Sequence, residues 1–327
     1  VALQNAFGAV VHSFTLGAAV SSISESTRNL GTPAGGGRFT LGFDQGRFRH
    51  FARSIIVATI AVVLALSSPS SVVPTSAAAA LKPDPAPTLQ ADIRTYLAGR
   101  SVSASVRVRD LQTGRRYAYR SRVHHDSASI VKVAIMAAVL RRQSQQGRYL
   151  TDRENRLLHK MIQRSDNAAT SKLWKSLGRG PAMARFYATA GMRHSTPGPG
   201  RYWGLTRITA ADEVVLLRHL TRKTKLLTKA GRKYARSLMA TVKPSQAWGI
   251  SAGPTDTTSV TVELKNGWLQ RSHRRWRIHS IGHVSGEGRN YLVAILTTNN
   301  RTKAEGIATV EGISRLIWQD LGEPREE

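Results

Sequence analysis

The chain is expected to be an α+β protein: an antiparallel sheet built from N- and C-terminal strands, flanked by an inserted all-helical subdomain. Two observations predict this. Alternating apolar and polar residues mark strands near residues 101–120 and again over 259–298, with a helix-rich stretch between them. Strands and helices also come in blocks and lack the alternating βαβ order of a parallel sheet.

The elements follow in chain order. Residues 1–46, rich in Gly, Ser and Thr, show no sustained period and read as a disordered or over-extended leader. In 47–80, Arg47, Arg49 and Arg53 precede the run Ile55–Leu66, apolar apart from Thr59, and small residues follow through Ala80. That is the layout of a secretory signal peptide. The apolar run is short for a bilayer span, so an uncleaved membrane anchor is the secondary reading. Residues 81–88 hold three prolines and read as a linker, and 89–325 as the folded domain.

Within that domain, Leu89–Leu97 is a short helix. Ser101–Asp110 alternates as a strand, and Gln112-Thr113-Gly114 turns it into a hairpin with 115–120. Ser127–Leu140 reads SASIVKVAIMAAVL, apolar on every side, and so predicts a helix buried all round. Further helices are expected near 151–163, 167–177, 181–190, 209–221 and 228–241, with Thr209 as an N-cap. The segment 194–205, HSTPGPGRYWGL, is too rich in Pro and Gly for either regular structure. Strands are predicted at Ser259–Lys265, Trp276–Val284 and Asn290–Thr298, and a terminal helix at 303–319.

The totals narrow the chemistry. With no cysteine there is no disulfide, thiolate nucleophile or thiolate metal site. The histidines lack metal-ligand spacing with carboxylates, so neither a metal nor another cofactor is expected. There are 48 Lys+Arg against 20 Asp+Glu, for a net charge of +28. Only five of those cations and two of those anions lie in residues 1–80, so the domain itself is basic. Anionic cell-wall polymers fit that charge. Nucleic acid is not expected, because no stripe of interleaved aromatic and basic residues is present. A monomer is expected.

Three short motifs carry the chemistry. Lys132 is the only charge in the buried helix, and Ser129 stands three residues before it, on the same helical face. Burial lowers a lysine's pKa toward a usable base, although a lysine snorkelling beside an idle serine has the same spacing. Arg164-Ser165-Asp166-Asn167 falls between two helices, where such residues ordinarily cap. Lys265-Asn266-Gly267 ends an alternating strand, with a glycine that admits a close neighbour.

Together, Ser-x-x-Lys, Ser-Asp-Asn and Lys-x-Gly in this order resemble class A β-lactamases and penicillin-binding proteins. The resemblance extends from roughly Leu89 to Leu321 and implies a β-lactamase/transpeptidase-like serine hydrolase. It gives Ser129 the nucleophile's role and Lys132 that of base or relay. Ser165 would pass a proton to the leaving nitrogen, and Asp166 would brace its loop. Asn167, Lys265, Asn266, Gly267 and Trp268 would line the substrate site. Asn167 would hold the substrate amide and Lys132. Lys265 would orient Ser165 and attract a substrate carboxylate. Backbone N–H groups of Ser129 and Trp268 would form the oxyanion hole. Arg275 or Arg277 could also meet a carboxylate, though a surface position is the simpler reading.

Two departures bear on function. The stretch from Ser129 to Ser165 is short for this family. From Asn167 to Ala211 there is no Asp or Glu at all, where the resemblance implies a deacylating glutamate. The expected function is therefore a secreted hydrolase acylated at Ser129 by β-lactams or peptidoglycan-derived amides, with slow or altered deacylation. The alternatives are a D-alanyl-D-alanine carboxypeptidase or amidase, and a non-catalytic cationic wall-binding module.

Overall fold

The structure, a computed structural model, describes residues 85–322 apart from Thr257. The expected leader 1–46, the signal-like stretch 47–80 and the first half of the linker 81–88 lie outside the described residues. The rest of the linker is not a linker, because α1 spans Pro85–Leu97. Pro85 and Pro87 fall in its first turn, where a missing N–H costs no helical hydrogen bond.

Strand β1 (Ser103–Asp110) and β2 (Arg116–Tyr119) form the N-terminal hairpin. The C-terminal strands are β5 (Thr261–Gln270), β6 (Trp276–Gly286) and β7 (Arg289–Asn300). All five join one antiparallel sheet in the order β2-β1-β7-β6-β5. The two halves of the chain meet where β1 pairs with β7, from Ser103 opposite Thr298 to Asp110 opposite Tyr291. A second sheet of two very short strands, β3 (His125–Asp126) and β4 (Arg207–Ile208), was not legible in the sequence. Two residues are too few for any period to show.

Between the hairpin and β5 lie α2 (Val131–Gln145), α3 (Asp152–Gln163), α4 (Asn167–Leu177), α5 (Arg179–Ala190), α6 (Ala210–Thr221) and α7 (Lys229–Ala240). Their starts are chemically defined. Thr151 and Glu154 make a capping box on α3, Asp166 accepts from Ala169 N on α4, and Thr209 accepts from Asp212 N on α6.

The sheet separates two apolar clusters. On one face Leu89 and Ile93 of α1 pack with Val106, Val108, Val293 and Ile295, and with Val310, Ile313 and Ile317 of α8 (Lys303–Asp320). On the other, α2 to α7 pack on Ile281, Leu292, Ala294 and Leu296. Helix α2 lies inside this second cluster: every residue from Val131 to Leu140 is buried, Lys132 included.

Strand β5 runs on past Lys265 for five more residues, through Asn266-Gly267-Trp268, where the sequence pattern predicts an end. Asn and Gly are poor strand formers. Here the pairing with β6, Asn266 opposite Ser280 and Gly267 opposite His279, holds them extended.

Candidate active site

Ser129 does not lie in α2 itself but in the 3-10 turn Ala128–Ile130 that leads into it. The turn is strained: Ala128 has a φ of 48°, a left-handed conformation rare for residues with a Cβ. Ser165 has a φ of 54°. Such residues cost on the order of 1–3 kcal/mol each and persist where the surroundings over-determine them.

What holds the turn in place is β5. A Cβ on Gly267 would stand 3.0 Å from the amide nitrogens of both Ser129 and Ile130, and 3.1 Å from Ser127 O. Only glycine lets the strand backbone come this near, which is the close approach its motif suggests. Beneath the turn, two buried histidines pack edge to face with ring centroids 5.8 Å apart, His125 and His279. Burial holds them neutral, with pKa values pushed down to about 3 and about 4. His279 Nε2 donates to Asp126 O and its Nδ1 accepts from Thr297 N, so its tautomer is fixed.

Lys132 brings two of the motifs together. Its Nζ donates to Ser165 O at 2.7 Å, Ser165 Oγ at 3.0 Å and Asn167 Oδ1 at 2.8 Å. An ammonium has three donors, and all three are used. Burial pushes its pKa down to about 7, against the opposing pull of the Asp166 carboxylate. Asp166 itself caps α4, with Oδ1 2.6 Å from Ala169 N. Ser129 Oγ makes no hydrogen bond among the described residues, so the serine is not tied to another side chain.

The third motif is arranged differently from expectation. Lys265 is fully buried and its Nζ donates to Asn266 O at 2.8 Å; no hydrogen bond joins it to Ser165. Burial, and then the like charge of Lys132, hold its pKa well below the ordinary lysine value. Asn266 does not face the substrate side. Strand alternation turns its side chain to the opposite face of the sheet, where Nδ2 donates to Gln246 O and Trp248 O. The expected amide contact with substrate is thereby withdrawn. The Trp268 ring lies near that of Trp248, at 6.1 Å, with Lys303 Nζ 4.4 Å from its centroid. Its side chain is therefore engaged away from the turn.

Arg277 is not an idle surface residue. Together with Arg207 and Arg271 it converges on the Asp126 carboxylate, at 3.7, 3.6 and 3.2 Å respectively. Among the described residues, no group of three or more His, Asp or Glu could hold a metal.

The carboxylate-free segment 194–205 folds over this cluster. Trp174 Nε1 donates to Gly200 O, Gly198 N to Thr206 Oγ1 and Trp203 Nε1 to Ser171 Oγ. Asp212 anchors its start by accepting from His194 N and Ser195 Oγ. So fixed, the loop sets the Trp203 ring with its centroid 5.0 Å from Lys132 Nζ. Sequence reasoning missed this contact; the aromatic residue in an otherwise Gly- and Pro-rich loop was the available signal.

The model of the beta-lactamase enzyme family matches residues 88–156 and 155–321. The chain belongs to the beta-lactamase enzyme family. As a member it is a β-lactamase-related serine hydrolase by descent, and solved structures share its fold. A class A beta-lactamase from Bacteroides cellulosilyticus DSM 14838 superposes with a TM-score of 0.65 at 17% identity, covering 74% of this chain and 99% of that one. The TLA-3 extended-spectrum beta-lactamase gives 0.65 at 14% identity, covering 73% and 100%. PBP-A gives 0.63 at 17% identity, covering 71% and 95%, and a mutant of PBP-A is known as an acyl-enzyme complex with penicillin G. No curated protein matches the sequence.

Proposed function

We propose that Ser129 is acylated by β-lactams or by cell-wall-like amides, and that the resulting acyl-enzyme is broken slowly. The observation that carries this reading is Lys132: a buried amine, half-neutral near pH 7, hydrogen-bonded to Ser165 and Asn167, in the first turn of the helix that follows the Ser129 turn.

Neutral Lys132 takes the Ser129 proton, directly or through Ser165 Oγ, as the Oγ–C bond forms at the carbonyl carbon. The carbonyl electron pair moves to oxygen, which the backbone N–H groups of Ser129 and Trp268 stabilise; such donors are typically worth ~3–4 kcal/mol each. When the intermediate collapses the C–N bond breaks, and Ser165 gives its proton to the leaving nitrogen. Lys132 then reprotonates Ser165 and returns to the neutral form. The product is an ester on Ser129, with the amine still tethered through the opened ring of a β-lactam, or released from an open-chain amide. The penicillin G complex of the PBP-A mutant supports this substrate class.

Breaking the ester needs an activated water, and general-base catalysis commonly contributes ~10²–10⁴-fold. The loop over Lys132 carries no carboxylate and presents the Trp203 ring instead. Brief treatment with penicillin G followed by intact-mass measurement tests both halves of the reading. A long-lived adduct that is lost in Ser129→Ala is expected; neither adduct nor hydrolysis overturns it. The basic, then apolar, then small-residue order of 47–80 supports action outside the cytoplasm, and cell fractionation with N-terminal sequencing of the extracytoplasmic protein tests that part.

A further inference from the structure

On the face of the sheet that packs on the helical layer, β1 carries arginines where apolar residues belong. Val106 and Val108 point into one core, so the alternating Arg107 and Arg109 point to the other side, toward α6. There they line a cleft of about 160 Å³ with Arg116 of β2 and with Ala211, Val214, Val215 and Arg218 of α6. Arg109 and Arg116 stand directly opposite each other in the β1–β2 ladder. Like charges in that register destabilise a hairpin.

None of Arg107, Arg109, Arg116 and Arg218 forms an ion pair or a hydrogen bond with a carboxylate among the described residues. Arg122 and Arg222 add further positive potential nearby, and Arg222 is spent on Leu111 O. Burial, and then the neighbouring arginines, lower the pKa of both Arg107 and Arg109, with no acidic group opposing. A half-buried guanidinium without a partner is costly, and a protein that needed only stability would place Val or Thr here.

We propose that this cleft is a binding site for a phosphate group. Its size admits one tetrahedral oxyanion, and guanidinium forks converging from two strands and a helix suit bidentate contact with phosphate oxygens. The cleft lies at the β2–β1 edge of the sheet, whereas Gly267 and the Ser129 turn lie at the β5 edge. It is therefore a second site, separate from the candidate catalytic cluster and independent of the reaction proposed for Ser129. Arg122 beyond the cleft suits a ligand that carries phosphates in series.

The test compares thermal unfolding of the protein and of the double variant Arg107→Gln, Arg109→Gln in phosphate and in sodium chloride of equal ionic strength. Without phosphate the variant should unfold at the same or a higher temperature, since repulsion is relieved. Phosphate at tenfold its dissociation constant should raise the wild-type midpoint by roughly 3–6 °C and leave the variant unmoved. Equal shifts in both proteins, or a phosphate effect matched by chloride, overturns the proposal. A parallel titration with short-chain polyphosphate separates the sources. Tighter binding per phosphate than orthophosphate assigns a polymer, equal binding assigns the free ion, and both results support the site. Retention of wild-type behaviour toward penicillin G by the variant separates this outcome from any failure at Ser129.

Discussion

Lys132 shows how one side chain can be costly to the fold and useful to the site. Its burial opposes charge, and the three acceptors on Ser165 and Asn167 satisfy it when charged, so the two protonation states are close in free energy near neutrality. A pH profile follows. The lysine pKa is lowered, so the neutral, proton-accepting form is populated above about 7 and lost below it. Adduct formation at Ser129 should rise about tenfold from pH 6 to pH 8 and then level off, as measured by quenched intact-mass time courses. A flat profile would remove Lys132 as the base. The sequence announced this residue clearly, because a lone charge in SASIVKVAIMAAVL has few explanations. Of its hydrogen bonds, the resemblance pointed to the one with Asn167, whereas those to Ser165 were not legible, since Ser165 reaches it only through the packing of α4 on α2.

At the scale of elements, β5 and the turn at Ser129 form one device. Gly267 has an ordinary extended backbone, so its constraint is steric, with two amide nitrogens and a carbonyl oxygen in the space a methyl would need. Gly267→Ala should destabilise the protein by about 1–3 kcal/mol, the usual cost of overpacking. It should also slow adduct formation by about tenfold or more, because displacing a reactive group by even part of an ångström is expensive. Denaturant midpoints and acylation rates check the two effects; if neither changes, β5 does not hold the turn. Helix positions such as those of α4 and α6 were readable because Asp166 and Thr209 mark their starts with local chemistry. The extension of β5 and the orientation of Asn266 were not, because both depend on β6 and on the carbonyls of Gln246 and Trp248, which no local pattern discloses.

Across the whole molecule, buried charge sets the pH response. Glu213 on α6 is fully buried, and neither carboxyl oxygen has a hydrogen-bond partner among the described residues. Burial, and then Asp212, push its pKa up to about 8. The folded state therefore holds this proton more tightly than the unfolded state, and stability is lost as pH rises from about 4.5 to about 8. Glu213→Gln should raise stability by roughly 4 kcal/mol at pH 8, with the gain vanishing below pH 4.5. Urea unfolding at the two pH values checks this, and a variant no more stable at pH 8 contradicts it. The α+β architecture was legible at this scale from the order of its blocks. The inward arginines of β1 and the Trp203 ring over Lys132 were not, because each gains its meaning from an element far along the chain.

The sheet order has a further consequence, in time. Strand β1 emerges early in synthesis, yet its long-range partner is β7, nearly two hundred residues later, and the turn bearing Ser129 waits for Gly267. A growing chain can form the hairpin and the helices, but its two apolar clusters have no shared wall until the last strands leave the ribosome. Folding of this kind is slow, and exposes sticky surface while it waits. The surroundings of Ser129 are thus among the last parts of the molecule to be completed.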